Sequence, residues 1–179
     1  GTWVAVGSAP SSYPYAFVAA NPGGTWTRVK LSSTVVSVNS VVCYNGTWVA
    51  VGYDGGYYPY IFTTTDPVGT WTEIQLDSST KYQLYSITCE NGMWIAAGDY
   101  YTSNAEKYPY IFTTTNPTGS WTGKQLGTME ATLYDVARNN EEWVAVGHDT
   151  YSYAFHSGFY AVPTISPDSS YAYIKALED

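Results

Sequence analysis

Apolar and polar residues alternate over short stretches along most of this chain. Typical stretches read "WVAVG", "YIFTTT" and "TWTEIQL", and glycine, proline, asparagine or serine bounds most of them. Alternation in segments rich in β-branched and aromatic residues predicts half-buried β-strands. No segment repeats its apolar residues with the period of about 3.6 residues that marks a helix. The pattern therefore predicts an all-β protein.

The alternating segments belong to one unit that occurs four times. The aligned copies are "GTWVAVG" at 1–7, "GTWVAVG" at 46–52, "GMWIAAG" at 92–98 and "EEWVAVG" at 141–147. In this alignment a tryptophan and a glycine keep their register, at Trp3, Trp48, Trp94 and Trp143 and at Gly7, Gly52, Gly98 and Gly147. A fixed period of this length indicates a repeat architecture.

Each unit can be divided into four strands. An alternating segment precedes each later tryptophan, and two of these segments end in Asn45-Gly46 and Asn91-Gly92, the pair that two-residue hairpins prefer. "WVAVG" is the second strand, "YIFTTT" is a third, and a Pro-Gly turn leads to a fourth such as "TWTEIQL". Four antiparallel strands per repeat predict propeller blades better than they predict one sandwich.

The predicted fold is thus a single domain over 1–179, made of about four β-propeller-like blades of four antiparallel strands each. The repeats run over about 1–45, 46–91, 92–140 and 141–179. The first blade lacks its innermost strand and the last departs from the pattern. We therefore expect the terminal segment, upstream blades or another subunit, as in a homo-oligomer, to complete a larger ring, since open sheet edges invite pairing.

The turn "TTDPVGTW" resembles the Asp-box of sialidase-type, BNR-like propellers. The residues that fit the pattern are Thr64, Asp66, Thr70 and Trp71. The glycine is displaced by one place to Gly69, and Asn21 and Asn116 replace the aspartate in other copies. In that family the box is a structural hairpin on the outer side of the blade. The residue types agree, since Asp or Asn can bond the turn backbone, Pro presets φ and Gly accepts a strained dihedral.

Composition removes several classes of partner. With 7 Lys and Arg against 15 Asp and Glu, the net charge is -8, which disfavours nucleic acid. No run approaches the roughly 20 apolar residues of a membrane helix, so we predict no membrane insertion. No cofactor is predicted. Cys43 and Cys89 hold the same place in successive repeats, and we expect two buried thiols rather than a disulfide.

The inventory of catalytic groups is poor. The sialidases that the resemblance implies use three arginines for the substrate carboxylate and a Tyr with a nearby Glu as nucleophile, but this chain has only Arg28 and Arg138. A glycosidase pair of carboxyls could include Asp135, which lies in a predicted inner strand. Its matching positions are Ser40 and Ser86, which weakens that hypothesis.

His148, Asp149 and His156 fall in the divergent last repeat, where a metal site or an acid-base pair is conceivable. Two loop histidines are more often plain surface residues. We therefore predict no enzymatic activity, with no catalytic and no metal-binding residue.

Tyrosine is the main functional clue, because the chain contains 19 of them among 17% aromatic residues. The loops from second to third strands are dense in Tyr, and the fold would place them on one face. Tyr offers a flat ring with a hydroxyl, which suits a sugar face or a protein epitope. The predicted ligand-binding residues are Tyr13, Tyr57, Tyr58, Tyr100, Tyr101, Tyr108, Tyr151 and Tyr153. At Tyr15, Tyr60 and Tyr110 we expect packing at the start of the third strand instead.

The segment "YAVPTISPDSSYAYIKALED" at 160–179 is similar to the closing segments of some phage tail and related surface proteins. The likeness implies an extracellular or virion-surface location, with Asp179 at or near the C-terminus and Gly1 inside a longer parent. The predicted function is a non-catalytic binding domain that recognises a glycan or cell-surface receptor. The alternatives are a structural subunit of a tail or extracellular filament and, less favoured, a glycoside hydrolase module.

Overall fold

The computed structural model describes residues 1–8, 13–34, 37–139, 142–149 and 152–156. These residues form four antiparallel sheets, and the strands of each sheet pair in chain order. Sheet 1 contains β1 (Trp3–Ser8), β2 (Pro14–Ala19) and β3 (Thr27–Lys30). Sheet 2 contains β4 (Ser37–Tyr44), β5 (Thr47–Tyr53), β6 (Pro59–Thr64) and β7 (Thr72–Gln75). Sheet 3 contains β8 (Lys81–Glu90), β9 (Met93–Tyr101), β10 (Lys107–Thr114) and β11 (Thr122–Gln125). Sheet 4 contains β12 (Thr132–Asn139), β13 (Glu142–His148) and β14 (Ser152–His156).

This architecture confirms the predicted all-β, blade-like fold. Sheets 2 and 3 have all four predicted strands, and among the described residues sheet 1 has only the second, third and fourth. In sheets 2, 3 and 4 the first strand comes before the repeated tryptophan in the chain. Each of these sheets therefore begins before the sequence repeat, which was counted from "GTW". None of the described ranges contains a helix that could cross a membrane.

The hairpins between first and second strands have the predicted geometry. Asn45 and Gly46 have φ angles of 48° and 80°, and Asn91 and Gly92 have φ angles of 51° and 75°. Two successive positive φ angles define the turn whose twist matches that of the flanking strands.

The turns between third and fourth strands are held by side chains. The Thr64 hydroxyl lies 2.9 Å from the carbonyl oxygen of Asp66, and the Trp71 indole N–H donates to the carbonyl of Pro67 at 3.1 Å. The prediction that the glycine of this turn has a strained dihedral angle is wrong, because Gly69 does not have a positive φ. A Cβ at Gly69 would instead lie 2.8 Å from Oδ2 of Asp66, so a larger residue there would displace the folded-in carboxylate.

The sheets stack face to face in chain order, and three apolar clusters fill the spaces between them. In each later sheet the tryptophan of the second strand turns toward the preceding sheet. Trp94 packs with Val49 and Val51 of sheet 2, and Trp143 packs with Ile95 of sheet 3. The repeated tryptophan is therefore a packing residue between blades.

Each first strand carries a β-bulge in its first half. The extra residues are Asn39 in β4, Tyr85 in β8 and Tyr134 in β12. An extra residue in one strand bends it and re-aims its side chain, and such bulges are frequent beside functional sites.

The repeated glycine of the second strand faces this bulged stretch. A Cβ at Gly52 would lie 2.0 Å from the carbonyl oxygen of Ser37, and one at Gly98 would lie 1.8 Å from that of Gln83. At Gly7 no atom of the described residues comes within 4 Å of the same position. Sheet 1 has no first strand in the described ranges, and this accounts for the open space.

Both cysteines are free thiols, but the prediction that both are buried is wrong for Cys43. Cys43 pairs with Trp48, whose side of sheet 2 faces sheet 1, and the described ranges contain no first strand of sheet 1 to cover it. Cys89 is half-buried, and burial raises the pKa of its thiol to about 11.

Candidate functional site

Strand pairing brings the variable loops together with the starts of the first strands. Ser37 pairs with Tyr53, Lys81 pairs with Tyr101, and Thr132 pairs with His148. The bulges and the loops after β5, β9 and β13 thus lie at the same end of their sheets, which we call the loop face.

A continuous series of aromatic contacts on the loop face joins residues of sheets 2, 3 and 4. We call it the aromatic row, and its members in spatial order are Tyr101, Tyr57, Tyr53, Tyr85, Tyr134 and His148. Successive ring centroids are 5.3, 6.2, 5.8, 5.3 and 5.0 Å apart. All neighbouring rings are tilted or edge-on, which are the favoured arrangements of aromatic pairs.

Two members of the row owe their position to the bulges. Tyr85 and Tyr134 are the extra residues of β8 and β12. The residues that follow them link the two strands, since the Ser86 hydroxyl donates to Oδ1 of Asp135 at 2.6 Å and accepts from the backbone N–H of Val136 at 3.3 Å. These bonds fix the spacing between sheets 3 and 4, and with it the separation of the two rings.

Tyr57 is held in an unusual backbone conformation. Its φ angle is 70°, in the left-handed region that a bulky side chain rarely adopts and that costs about 1–2 kcal/mol. The Asp54 carboxylate maintains the turn by accepting from the backbone N–H groups of Gly56 at 2.8 Å and Tyr58 at 2.9 Å. The Tyr57 carbonyl accepts from the N–H of Tyr82 at 2.7 Å.

Sheet 3 contains the same turn with different residues. Ala105 has a φ of 68°, and the Thr102 hydroxyl replaces the carboxylate by accepting from the N–H groups of Asn104 and Glu106. The turn therefore forms without a tyrosine at its strained position. Strain at an aromatic residue that the fold does not require marks Tyr57 as a candidate functional residue.

A buried polar cluster lies between sheets 3 and 4, next to the row. Asp99 is fully buried, and its Oδ2 accepts from the Thr132 hydroxyl at 2.9 Å and lies 3.4 Å from Nζ of Lys107. The same ammonium donates to Oε1 of Gln83 at 2.9 Å.

The environment of this cluster shifts two pKa values. Burial raises the pKa of Asp99, and the Lys107 ammonium and the Thr132 hydroxyl oppose the increase. Burial also raises the pKa of Tyr85, and the charge of Asp99 adds to the effect. Tyr85 is therefore a neutral phenol at physiological pH, able to donate a hydrogen bond.

Two of the predicted binding residues, Tyr57 and Tyr101, belong to the aromatic row. Tyr100 points away from it, since its ring lies 5.6 Å from Tyr82 in the apolar cluster between sheets 2 and 3. Tyr153 packs 6.3 Å from Phe155 at the interface of sheets 3 and 4.

The other predicted residues lie apart from the row. Tyr13 directly precedes β2 of sheet 1, and Nζ of Lys30 lies 3.4 Å from its ring centroid. Tyr58 is half-buried against Gly56, and Tyr108 is half-buried near Glu106, where burial raises its pKa. Tyr151 lies outside the described residues.

One residue of the histidine-containing group of the last repeat, His148, lies on the loop face. His148 ends the row, and its Nδ1 lies 3.1 Å from the carbonyl oxygen of Asp149. Among the described residues no three His, Cys, Asp or Glu side chains are grouped closely enough to hold a metal ion. Asp135 does lie in an inner strand aligned with Ser40 and Ser86, as predicted, and its side chain is exposed.

Sequence reasoning missed Tyr53, Tyr85 and Tyr134. A signal for the two bulge residues was present, because the apolar residues Leu84 and Ile87 are three positions apart. In an unbroken strand such residues point to opposite faces, yet both are buried in the same cluster. The odd spacing implies one extra residue between them.

No family model matches this chain, and no curated protein does. Solved structures do match. A protein of unknown function from Dyadobacter fermentans has a TM-score of 0.61 at 14% identity, over 84% of this chain and 56% of that one. Trypanosoma rangeli sialidase has a TM-score of 0.60 at 12% identity, over 89% of this chain and 30% of its own. An exo-1,5-alpha-L-arabinanase from a bovine ruminal metagenomic library has a TM-score of 0.52 at 9% identity, over 92% and 74%.

These likenesses establish a propeller-like fold of the type seen in the sialidase and the arabinanase. The chain spans about half or less of the first two proteins. The prediction that the chain is not an enzyme is contradicted, because the sialidase and the arabinanase are glycoside hydrolases. The physical reason is that one fold carries both binding and catalysis, so a missing set of arginines speaks only against one reaction.

Proposed function

We propose that this chain recognises a glycan, with the aromatic row as its contact surface. The observation that carries the proposal is the continuity of the row over three sheets, with each ring within 6.2 Å of the next. An oligosaccharide presents successive flat, weakly apolar faces edged by hydroxyls. A line of phenol rings offers stacking surfaces and hydroxyl groups in the same order.

Hydrogen bonds support the surface at two points, which favours recognition. The bulge residues are fixed by bonds between strands, and the turn around Tyr57 is held by Asp54. A preorganised surface loses little conformational entropy on binding. Strain at Tyr57 is consistent with a ring that is positioned for contact.

The setting we propose is the exterior of a phage tail or a bacterial surface protein, where the glycan would belong to a cell-surface receptor. The similarity of residues 160–179 to phage tail and surface proteins supports this setting, and those residues lie outside the described ranges. The turn residues that fit an Asp-box have an architectural role in this proposal, because Thr64 and Trp71 donate hydrogen bonds to carbonyl groups of their own turn.

Binding is tested on a glycan array that contains neutral and acidic oligosaccharides, followed by titration of the best glycan. Tyr134→Ala removes an exposed ring of the row, and Tyr57→Gly removes another while suiting the positive φ. We expect each change to weaken binding by about tenfold, the effect of a lost aromatic contact. Mass spectrometry of the incubated glycan detects any cleavage.

Tyr13→Ala is the matched control, because Tyr13 and Tyr134 are each 46% exposed and only Tyr134 belongs to the row. We expect its affinity to equal that of the unaltered chain. Equal losses from Tyr13→Ala and Tyr134→Ala, or no binding to any glycan, would overturn the proposal. Cleavage of a bound glycan would extend it to a hydrolase that uses the row as a subsite.

A further inference from the structure

The two end sheets expose the surfaces that the internal interfaces bury. Each internal interface joins a trailing face, which turns toward the next sheet, to a leading face, which turns toward the preceding one. The leading face of each sheet is defined by the Trp and Ala of its second strand and the Phe of its third. These residues are Trp3, Ala5 and Phe17 in sheet 1; Trp48, Ala50 and Phe62 in sheet 2; Trp94, Ala96 and Phe112 in sheet 3; and Trp143, Ala145 and Phe155 in sheet 4.

The leading face is covered in three sheets and open in the first. Phe62, Phe112 and Phe155 are buried, each in the cluster shared with the preceding sheet. In sheet 1 the equivalent Phe17 is 37% exposed and Trp3 is 53% exposed. The same residue types in the same register thus form an interface in three places and lack one in the fourth.

The trailing face shows the reverse pattern. This face is defined by two alternate residues of the second strand and one residue of the third. These residues are Val49, Val51 and Ile61 in sheet 2; Ile95, Ala97 and Ile111 in sheet 3; and Val144, Val146 and Ala154 in sheet 4. The members in sheets 2 and 3 are buried. Val146 in sheet 4 is 45% exposed.

The open faces also differ in charge. Exposed Arg28 and Lys30 lie on the side of sheet 1 that carries Phe17. Exposed Glu142 lies two residues before Val144 in β13 and therefore on the open side of sheet 4. Opposite charges at the two ends favour contact between a trailing and a leading face over contact between like faces.

We propose that a second copy of this chain binds head to tail, so that the trailing face of sheet 4 in one copy packs on the leading face of sheet 1 in the other. The two faces of a single chain do not cover each other, since Trp3 and Val146 both remain exposed. The contact repeats an interface that the chain already forms three times, and it is independent of glycan binding. Two copies closed in this way contain eight sheets, twice the four of one chain, within the range of about four to eight blades in propellers.

Analytical ultracentrifugation of the full chain over a range of concentrations tests the proposal. We expect the mass to rise from one copy to a multiple. Phe17→Lys blocks the leading face and Val146→Lys blocks the trailing face, and a lysine buried without a partner should weaken association by more than about 100-fold in each case. Circular dichroism verifies that both variants fold.

Mixing the two variants gives the sharpest result. We expect each variant alone to be monomeric. The trailing face of Phe17→Lys and the leading face of Val146→Lys are both unaltered and fit each other. The mixture should therefore form dimers that contain one copy of each variant. Val68→Lys is the control, because Val68 is an exposed valine on the outer turn of sheet 2, away from both faces. A wild-type chain that stays monomeric up to its solubility limit, a mixture without dimers, or an equal effect of Val68→Lys would overturn the proposal.

Discussion

Replacing the repeated glycine with alanine should have opposite effects in two identical segments. Gly7 and Gly52 both end the heptapeptide "GTWVAVG". A Cβ at Gly52 would lie 2.0 Å from the Ser37 carbonyl oxygen, whereas at Gly7 none of the described residues comes within 4 Å. Local sequence is therefore constant between the two sites, and only the presence of a bulged neighbouring strand differs.

The size of the effect follows from the overlap. The approach at Gly52 is roughly 1.4 Å closer than an ordinary contact of 3.4 Å, and the obstructing atom is backbone, so the strand must shift or the pairing must break. We expect Gly52→Ala to lower the free energy of unfolding by about 3 kcal/mol or more, and the melting temperature by about 6–12 °C. Gly7→Ala should be neutral or stabilising by about 0.5 kcal/mol, because alanine restricts the unfolded chain.

Urea and thermal unfolding of the two variants provide the measurement, with Gly98→Ala as a second test at a position where the Cβ would lie 1.8 Å from a carbonyl oxygen. Destabilisation of similar size at Gly7 and Gly52 would refute the reasoning, because it would show that the glycine is needed by the strand itself. A neutral Gly52→Ala would refute the close approach of the bulged strand.

Two further predictions concern titratable groups. Burial raises the pKa of Asp99 above 3.8. As the pH rises from below 3.8 toward neutrality, the folded protein therefore retains a proton that the unfolded chain releases. The wild-type protein should lose stability relative to Asp99→Asn over this range. Urea unfolding across that range measures the difference, and a gain with rising pH would contradict the assignment. Iodoacetamide at pH 8 should alkylate exposed Cys43 and spare Cys89, whose pKa is about 11, until the chain unfolds. Mass spectrometry follows both sites, and equal rates would contradict the prediction.

The strands and hairpins could be predicted because their causes are local. Alternation identifies a strand, and Asn45-Gly46 specifies a turn through the φ angles that those two residues accept. The fold class followed from the period, since four similar units must bury equivalent faces against one another.

The site was only half predictable because it depends on register and on contacts between sheets. Tyr57 and Tyr101 come from Tyr-rich loops that stand out in the sequence. Tyr85 and Tyr134 are adjacent only because the same extra residue occurs in two neighbouring strands and re-aims both side chains. Tyr100 lies apart from the row because neighbours in a strand point to opposite faces, and Tyr101 is the one that faces the row.

The serial stacking of the sheets also determines how stability is distributed along the molecule. Sheets 2 and 3 are supported on both sides, while sheets 1 and 4 have one packed face each among the described residues. In such a linear array the ends open first, so amide exchange should be slowest in β5 and β9 and faster toward either end. The aromatic row joins the two well-supported sheets to the exposed sheet 4, so a bound ligand that spans it would slow exchange in β12 and β13.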